Sequence, residues 1–170
     1  MRGVIPLLGP HDPFPPVSKA LRSPNGLLCA GADLSPERLL DAYSKGIFPW
    51  FSAGDPILWW SPHPRMVLFP GELKVSRSLR KAVARGAFET RFDTAFAEVM
   101  RACAEPRDGQ AGTWIVPEMV AAYTRLHELG FAHSVESWRD GRLAGGVFGM
   151  LLGRVFFGEA VFSRGADAPK

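Results

Sequence analysis

Apolar positions recur at helical spacing in several segments between Pro36 and Gly130, and alternate with a period of two from Ala132 onward, so helices should precede strands. Before that pattern begins, residues 1–33 hold Pro13, Pro15, Pro16 and Pro24, which prevent a continuous helix, and Asn25-Gly26 offers a turn. This part reads as loop with short strands. At Asp33-Leu34-Ser35-Pro36 the texture changes: Ser35 suits a cap, Pro36 suits the first helical position, and Leu39, Leu40 and Tyr43 form a stripe ending at Gly46. The spacing predicts a helix over 36–45. Residues 46–70 are too broken by proline for regular structure except a short strand at Met66 to Phe69. A second helix follows Ser76 and ends near Gly86, with Leu79 and Val83 pointing inward. A third follows Asp93, with Phe96, Val99, Met100 and Cys103 on one face, and Pro117 opens a fourth that stops at Gly130. After Ala132 come Ser134 to Arg139, an Asp140-Gly141 hairpin turn, a long strand, a turn at Gly153-Arg154, and Val155 to Phe162. Helices first and a three-stranded meander last define an α+β class.

Composition narrows the picture slightly. The chain has 170 residues, 46% hydrophobic and 22% charged, enough for one compact body or a domain with a small companion. No segment resembles a secretion signal or a bilayer-crossing run, so a cytosolic protein is expected. Cys29 and Cys103 lie too far apart for a zinc or redox pair and should be reduced, buried thiols. A net charge of +3 suits a polyanionic partner but decides nothing alone.

Three groups of residues carry candidate chemistry. Arg77, Lys81 and Arg85 recur at i, i+4 and i+8 with Arg80 beside them, a stripe able either to follow a phosphate backbone or simply to face water. Trp50, Phe51, Trp59, Trp60 and Trp114 are π-surfaces on which unpaired bases stack; the alternative is that they build the core. Glu159 lies in an otherwise apolar strand, where a carboxylate needs a partner or a chemical role. It could orient an amine, act as a base, or point to solvent beside an arginine. The four histidines lack ligand spacing and are taken as structural, with no metal implied.

Several ordered blocks resemble one family, the bacterial leucyl/phenylalanyl-tRNA-protein transferases. They are Pro-Asn-Gly-Leu-Leu at 24–28, Asp-Leu-Ser-Pro-Glu-Arg-Leu-Leu at 33–40, Tyr43 through Phe51, Gly54-Asp55-Pro56, and Trp59-Trp60-Ser61-Pro62. Gly112-Thr113-Trp114-Ile115, Leu126 to Gly130, His133-Ser134-Val135-Glu136 and Gly158-Glu159 continue the match.

The resemblance implies a small N-terminal domain over 1–63, then, over 64–170, an incomplete domain similar to the acetyltransferase superfamily that uses aminoacyl-tRNA. It implies no cofactor, a monomer, and transfer of Leu, Phe or Met to an N-terminal Arg or Lys, marking the acceptor for degradation. Trp50 and Trp114 then match residues holding the terminal adenosine, Tyr123 and Glu159 match site residues, Val147 and Phe156 fall in the side-chain pocket, and Arg77, Arg80, Lys81 and Arg85 fall on the tRNA-facing cluster. Val147 and Ala160-Val161 depart from the family's usual Met and Ser-Met. The family also continues past this point to an Asp-Cys-Gln motif, so the 170-residue chain is expected to be truncated and weakly active or inactive. Two rivals remain. An RNA-binding module without chemistry would use the same cations and rings. An acyl-CoA acetyltransferase is disfavoured because Arg142-Leu-Ala-Gly-Gly-Val enters a strand rather than a helix.

Overall fold

A computed structural model describes residues 4–106 and 113–164. Gly112 and the tail beyond Arg164 therefore lie outside the described residues. The chain forms two compact units, residues 1–66 with 106–122 and residues 67–105 with 123–170. Helices and two sheets make the fold α+β, with the antiparallel strands of the second unit last in the chain.

The first unit contains a sheet ordered β1 (Leu7–Leu8), β2 (Leu27–Gly31), β4 (Leu58–Trp60) and β3 (Phe48–Pro49). β1 runs parallel to β2, and β4 runs antiparallel to both its neighbours. The proline-broken stretch from 46 is therefore more regular than expected. Pro49 falls on edge strand β3, where its missing N–H interrupts no central ladder, while Pro56 and Pro62 lie outside β4. Cys29 and Trp59, paired across β2 and β4, are both buried, and the Trp59 Nε1–H donates to the Gly31 carbonyl at 2.9 Å. Phe14 meets Trp59 edge-on at 4.9 Å. Gly26 is required where the turn enters β2: its φ is +93°, and a Cβ there would lie 2.5 Å from the Pro62 backbone. Helix α1 (Pro36–Ser44) starts as its sequence predicts, Ser35 Oγ accepting from the Arg38 N–H at 3.3 Å, and buries Leu39, Ala42 and Tyr43. Burial pushes the Cys29 thiol up to about 11, with Arg38 acting in the opposite sense, so it stays protonated at neutral pH. Cys103, in the second unit, is also a buried free thiol.

The second unit is built on an antiparallel sheet ordered β5 (Glu89–Phe92), β6 (Ala132–Arg139), β7 (Arg142–Leu152) and β8 (Val155–Ser163). Four strands replace the expected three. β5 reads Glu-Thr-Arg-Phe, too polar to register as a strand by alternation, and pairing with β6 stabilises it. Asp140 and Gly141, with φ of +50° and +71°, make the tight hairpin between β6 and β7. Helix α3 (Phe96–Ala104) buries Phe96, Val99, Met100, Ala102 and Cys103. Helix α4 (Pro117–Glu128) contributes its buried Tyr123 and Leu126 to this unit.

Two expectations fail in the segment that precedes β5. Met66 to Phe69 form no strand, and Met66 is fully exposed, because β propensity is realised only beside a partner strand and the described residues provide none. Helix α2 (Arg77–Ala84) forms, capped by Ser76 Oγ on the Leu79 N–H at 3.1 Å, yet it buries no residue and Val83 points outward, 71% exposed. Of its apolar stripe, Leu79 is half-buried and Val83 lies uncovered.

Candidate active site

Trp50, Trp59 and Trp60 take their orientation from the β3–β4 pair. Trp50 follows β3; its N–H donates to the Leu58 carbonyl at 2.9 Å and its own carbonyl accepts from Trp60 Nε1 at 2.7 Å. The two indoles meet edge to face at 5.4 Å, leaving Trp50 49% exposed. Phe51 and Trp59 are buried, so for them the core alternative holds. Trp114 is half-buried in a short turn ahead of α4, in which Thr113 Oγ1 accepts from the Ile115 N–H at 3.1 Å. Arg65, unremarked in the sequence, sits 4.8 Å over the Phe48 ring and donates to the Gly46 carbonyl at 2.8 Å.

In the second unit the register separates two faces of the sheet. On one, Ser134, Phe148 and Ala160 align across β6, β7 and β8, as do Glu136, Gly146 and Phe162. This face is covered: Phe148 meets the rings of Phe96 at 6.1 Å and Tyr123 at 5.7 Å, and a Cβ on Gly146 would lie 3.1 Å from Val99. On the other, Phe92, Val135, Val147 and Val161 form one row and Leu151 and Phe156 another, with the paired glycines Gly149 and Gly158 between them. Phe92, Leu151, Phe156 and Val161 remain exposed there. Val147 and Phe156 thus share the open face, whereas Tyr123 is fully buried on the covered one.

Glu159 explains how β8 achieves this. Gly149 pairs with Gly158 and Phe148 with Ala160, so Glu159 is the extra residue of a β-bulge, half-buried and hydrogen-bonded or otherwise engaged. One inserted residue reverses the alternation, which places Phe156 and Gly158, rather than Phe157, on the Val147 face.

The fully buried carboxylate is a different one. Glu136 is 0% exposed and accepts from Ser134 Oγ at 2.7 Å, the Ala95 N–H at 3.0 Å, Trp138 Nε1 at 3.3 Å and Thr94 Oγ1. Burial would raise its pKa, but these donors outweigh it and hold the carboxyl below its ordinary value. The Ala95 bond places negative charge at the α3 N-terminus, where the helix dipole favours it. Asp93 repeats the pattern: burial raises it, yet hydrogen bonds from His133 (2.7 Å) and the Ser134 N–H (2.7 Å) lower it overall. His127 stacks on Phe96 at 4.1 Å. Among the described residues no group of three or more His, Cys, Asp or Glu could hold a metal ion. Nor is any helix among them long and apolar enough to cross a membrane. Alternation along β6 offered a signal for Glu136, since Ala132, Ser134 and Glu136 fall on one side, but its polar members pointed the wrong way.

The cations of α2 stand apart from this sheet chemistry. Arg77, Arg80, Lys81 and the C-cap Arg85 are exposed, and among the described residues none of them is ion-paired.

A family model for leucyl/phenylalanyl-tRNA protein transferase matches residues 67–170, and the model for the N-terminal domain of the same enzymes matches 32–63. The chain belongs to this family. The leucyl/phenylalanyl-tRNA–protein transferase of Chromobacterium violaceum is 68% identical over 167 residues, covering 98% of this chain and 72% of that relative. Relatives of the same name from Nitrosomonas europaea and Nitrosospira multiformis are 64% and 62% identical, with 93% and 98% of this chain and 67% and 72% of the relatives covered. Family membership makes the protein an aminoacyltransferase enzyme that works with aminoacyl-tRNA and protein substrates.

Proposed function

We propose that the protein moves Leu, Phe or Met from aminoacyl-tRNA to the N-terminal Arg or Lys of acceptor proteins in the cytoplasm, marking them for degradation. The observation that carries the reading is the open apolar face on which the Glu159 bulge puts Phe156 on the same side of the sheet as Val147, across the Gly149–Gly158 pair. An apolar aminoacyl side chain would be held there by burial, worth about 1.5–3 kcal/mol for a Leu- or Phe-sized group.

The reaction needs little beyond positioning. The neutral α-amine attacks the ester carbonyl; the new C–N bond forms as the C–O bond to the terminal ribose breaks, and the proton lost by the amine ends on the released ribose hydroxyl. The ester is already activated, so holding both partners supplies much of the acceleration. Glu159 orients the incoming amine. Trp50 and Trp114 stack on the terminal adenosine; Trp50 has an open ring for this, its edge steadied by Trp60. Tyr123 contributes to substrate binding through strand position, since its buried ring supports β7 at Phe148. Arg77, Arg80, Lys81 and Arg85 contact the tRNA backbone, a role favoured by their exposure and by the lack, among the described residues, of a carboxylate ion-paired to them.

Binding and transfer together test this. Leu-tRNA should bind at least about tenfold tighter than uncharged tRNA, a difference worth ~1.4 kcal/mol, and labelled Leu should appear, at a weak rate, on a peptide beginning with Arg but not on its N-acetylated form. Equal affinity for charged and uncharged tRNA, without transfer, would establish an RNA-binding module instead. Tight acetyl-CoA binding would favour the acetyltransferase alternative.

A further inference from the structure

We infer that Gly149 is a positioning residue that sets which aminoacyl side chains the open face accepts, an inference that rests on the transfer reading above. Gly149 is not needed for backbone conformation, because its φ lies outside the left-handed region. It is needed for space. A Cβ there would lie 2.1 Å from the Phe157 carbonyl oxygen, 2.9 Å from the carbonyl carbon and 2.7 Å from Cζ of Phe156. Its cross-strand partner Gly158 is different: the nearest atom to a Cβ is Phe156 Cε1, at an ordinary contact distance of 3.9 Å.

These distances place two parts of the candidate site directly on Gly149. The Phe157 carbonyl belongs to the β8 backbone two residues before Glu159, so it yields only if the bulge shifts. The Phe156 ring lies across the glycine pair with its tip over Gly149, and being 43% exposed it escapes a new methyl only by lifting away from the sheet. The bare Cα of Gly149 therefore keeps Phe156 low and holds the bulge in register beside Val147. A raised ring would intrude on the space above the sheet and penalise a bulky donor side chain more than a compact one. Close packing makes such a change felt at the level of a single methyl group.

The test compares the affinities of amide-linked phenylalanyl-adenosine and leucyl-adenosine, with adenosine as reference, for the wild type, Gly149→Ala, Gly158→Ala and Phe156→Leu, by titration calorimetry. The ratio of Phe to Leu affinity is independent of the fraction of molecules folded, so a merely structural role for Gly149 would leave it unmoved. Gly149→Ala should lower that ratio about tenfold, Gly158→Ala should shift it less, and Phe156→Leu should raise it. An unchanged ratio in folded Gly149→Ala overturns the inference. Where Gly149→Ala fails to fold, Phe156→Leu decides in the same way, a raised ratio supporting it and an unchanged one overturning it. If wild-type protein binds both compounds no better than adenosine, the transfer reading itself has failed.

Discussion

The two faces of the β5–β8 sheet carry similar side chains and meet opposite fates. Phe148, Met150 and Phe162 on one face are buried beneath α3 and the second half of α4, while Phe92, Leu151, Phe156 and Val161 on the other stay exposed. Apolar content therefore does not say which face is core. Helix connectivity does, and the face left open is where binding is proposed, since exposed apolar patches of this kind mark interaction surfaces. Stability and function should accordingly separate by face.

Phe148→Ala should be the most damaging single change, costing about 3–5 kcal/mol in denaturant unfolding. Phe156→Ala, on the open face, should cost under about 1 kcal/mol while weakening aminoacyl-adenosine binding. Equal losses of stability would break the contrast. Next comes Glu136→Ala, which strands four donors on the covered side and should cost about 2–4 kcal/mol. The sign with pH follows from depressed carboxyls: Glu136 and Asp93 titrate lower when folded, so the unfolded chain binds more protons in acid. Their stabilisation is complete above the ordinary carboxylate range and is lost as pH falls toward the folded values. Melting followed from neutral to acidic pH should thus show a drop that Glu136→Gln flattens; an acid dependence identical to wild type would remove Glu136 from that role. A smaller, purely electrostatic effect is expected on α2. Arg77→Gln with Lys81→Gln should leave stability within about 0.5 kcal/mol and reduce the slope of log affinity for tRNA against log salt by roughly 1.5. The smallest change should be Leu151→Ser, within about 0.5 kcal/mol of wild type.

Helices α2 and α3 repeat the lesson on a smaller scale. Both were legible from spacing, and the Ser76 cap of α2 forms as its sequence indicates. α3 packs on the sheet, aided by the Glu136 carboxylate at its N-terminus; α2 keeps Val83 and its cations in water. The same limit explains Met66 to Phe69, which has strand-like residues without a neighbouring strand, and β5, which has a neighbour but an unpromising sequence. By sequence Trp59 and Trp50 were equally open to stacking or to core packing; Trp59 is core, while Trp50, nine residues earlier and across the same strand pair, stays exposed.

Local rules in the chain were enough to determine the caps of α1 and α2, the Asp140-Gly141 hairpin, the meander and its α+β class, because propensity, proline placement and alternation act over a few neighbouring residues. They also singled out Glu159 as a carboxylate out of place. Only tertiary structure decided that Glu159 occupies a bulge, that the deeply buried acid is Glu136, and that Gly149 must lack a side chain. Each of those depends on which atoms a partner strand or helix brings within a few ångströms, and that information is not local in sequence.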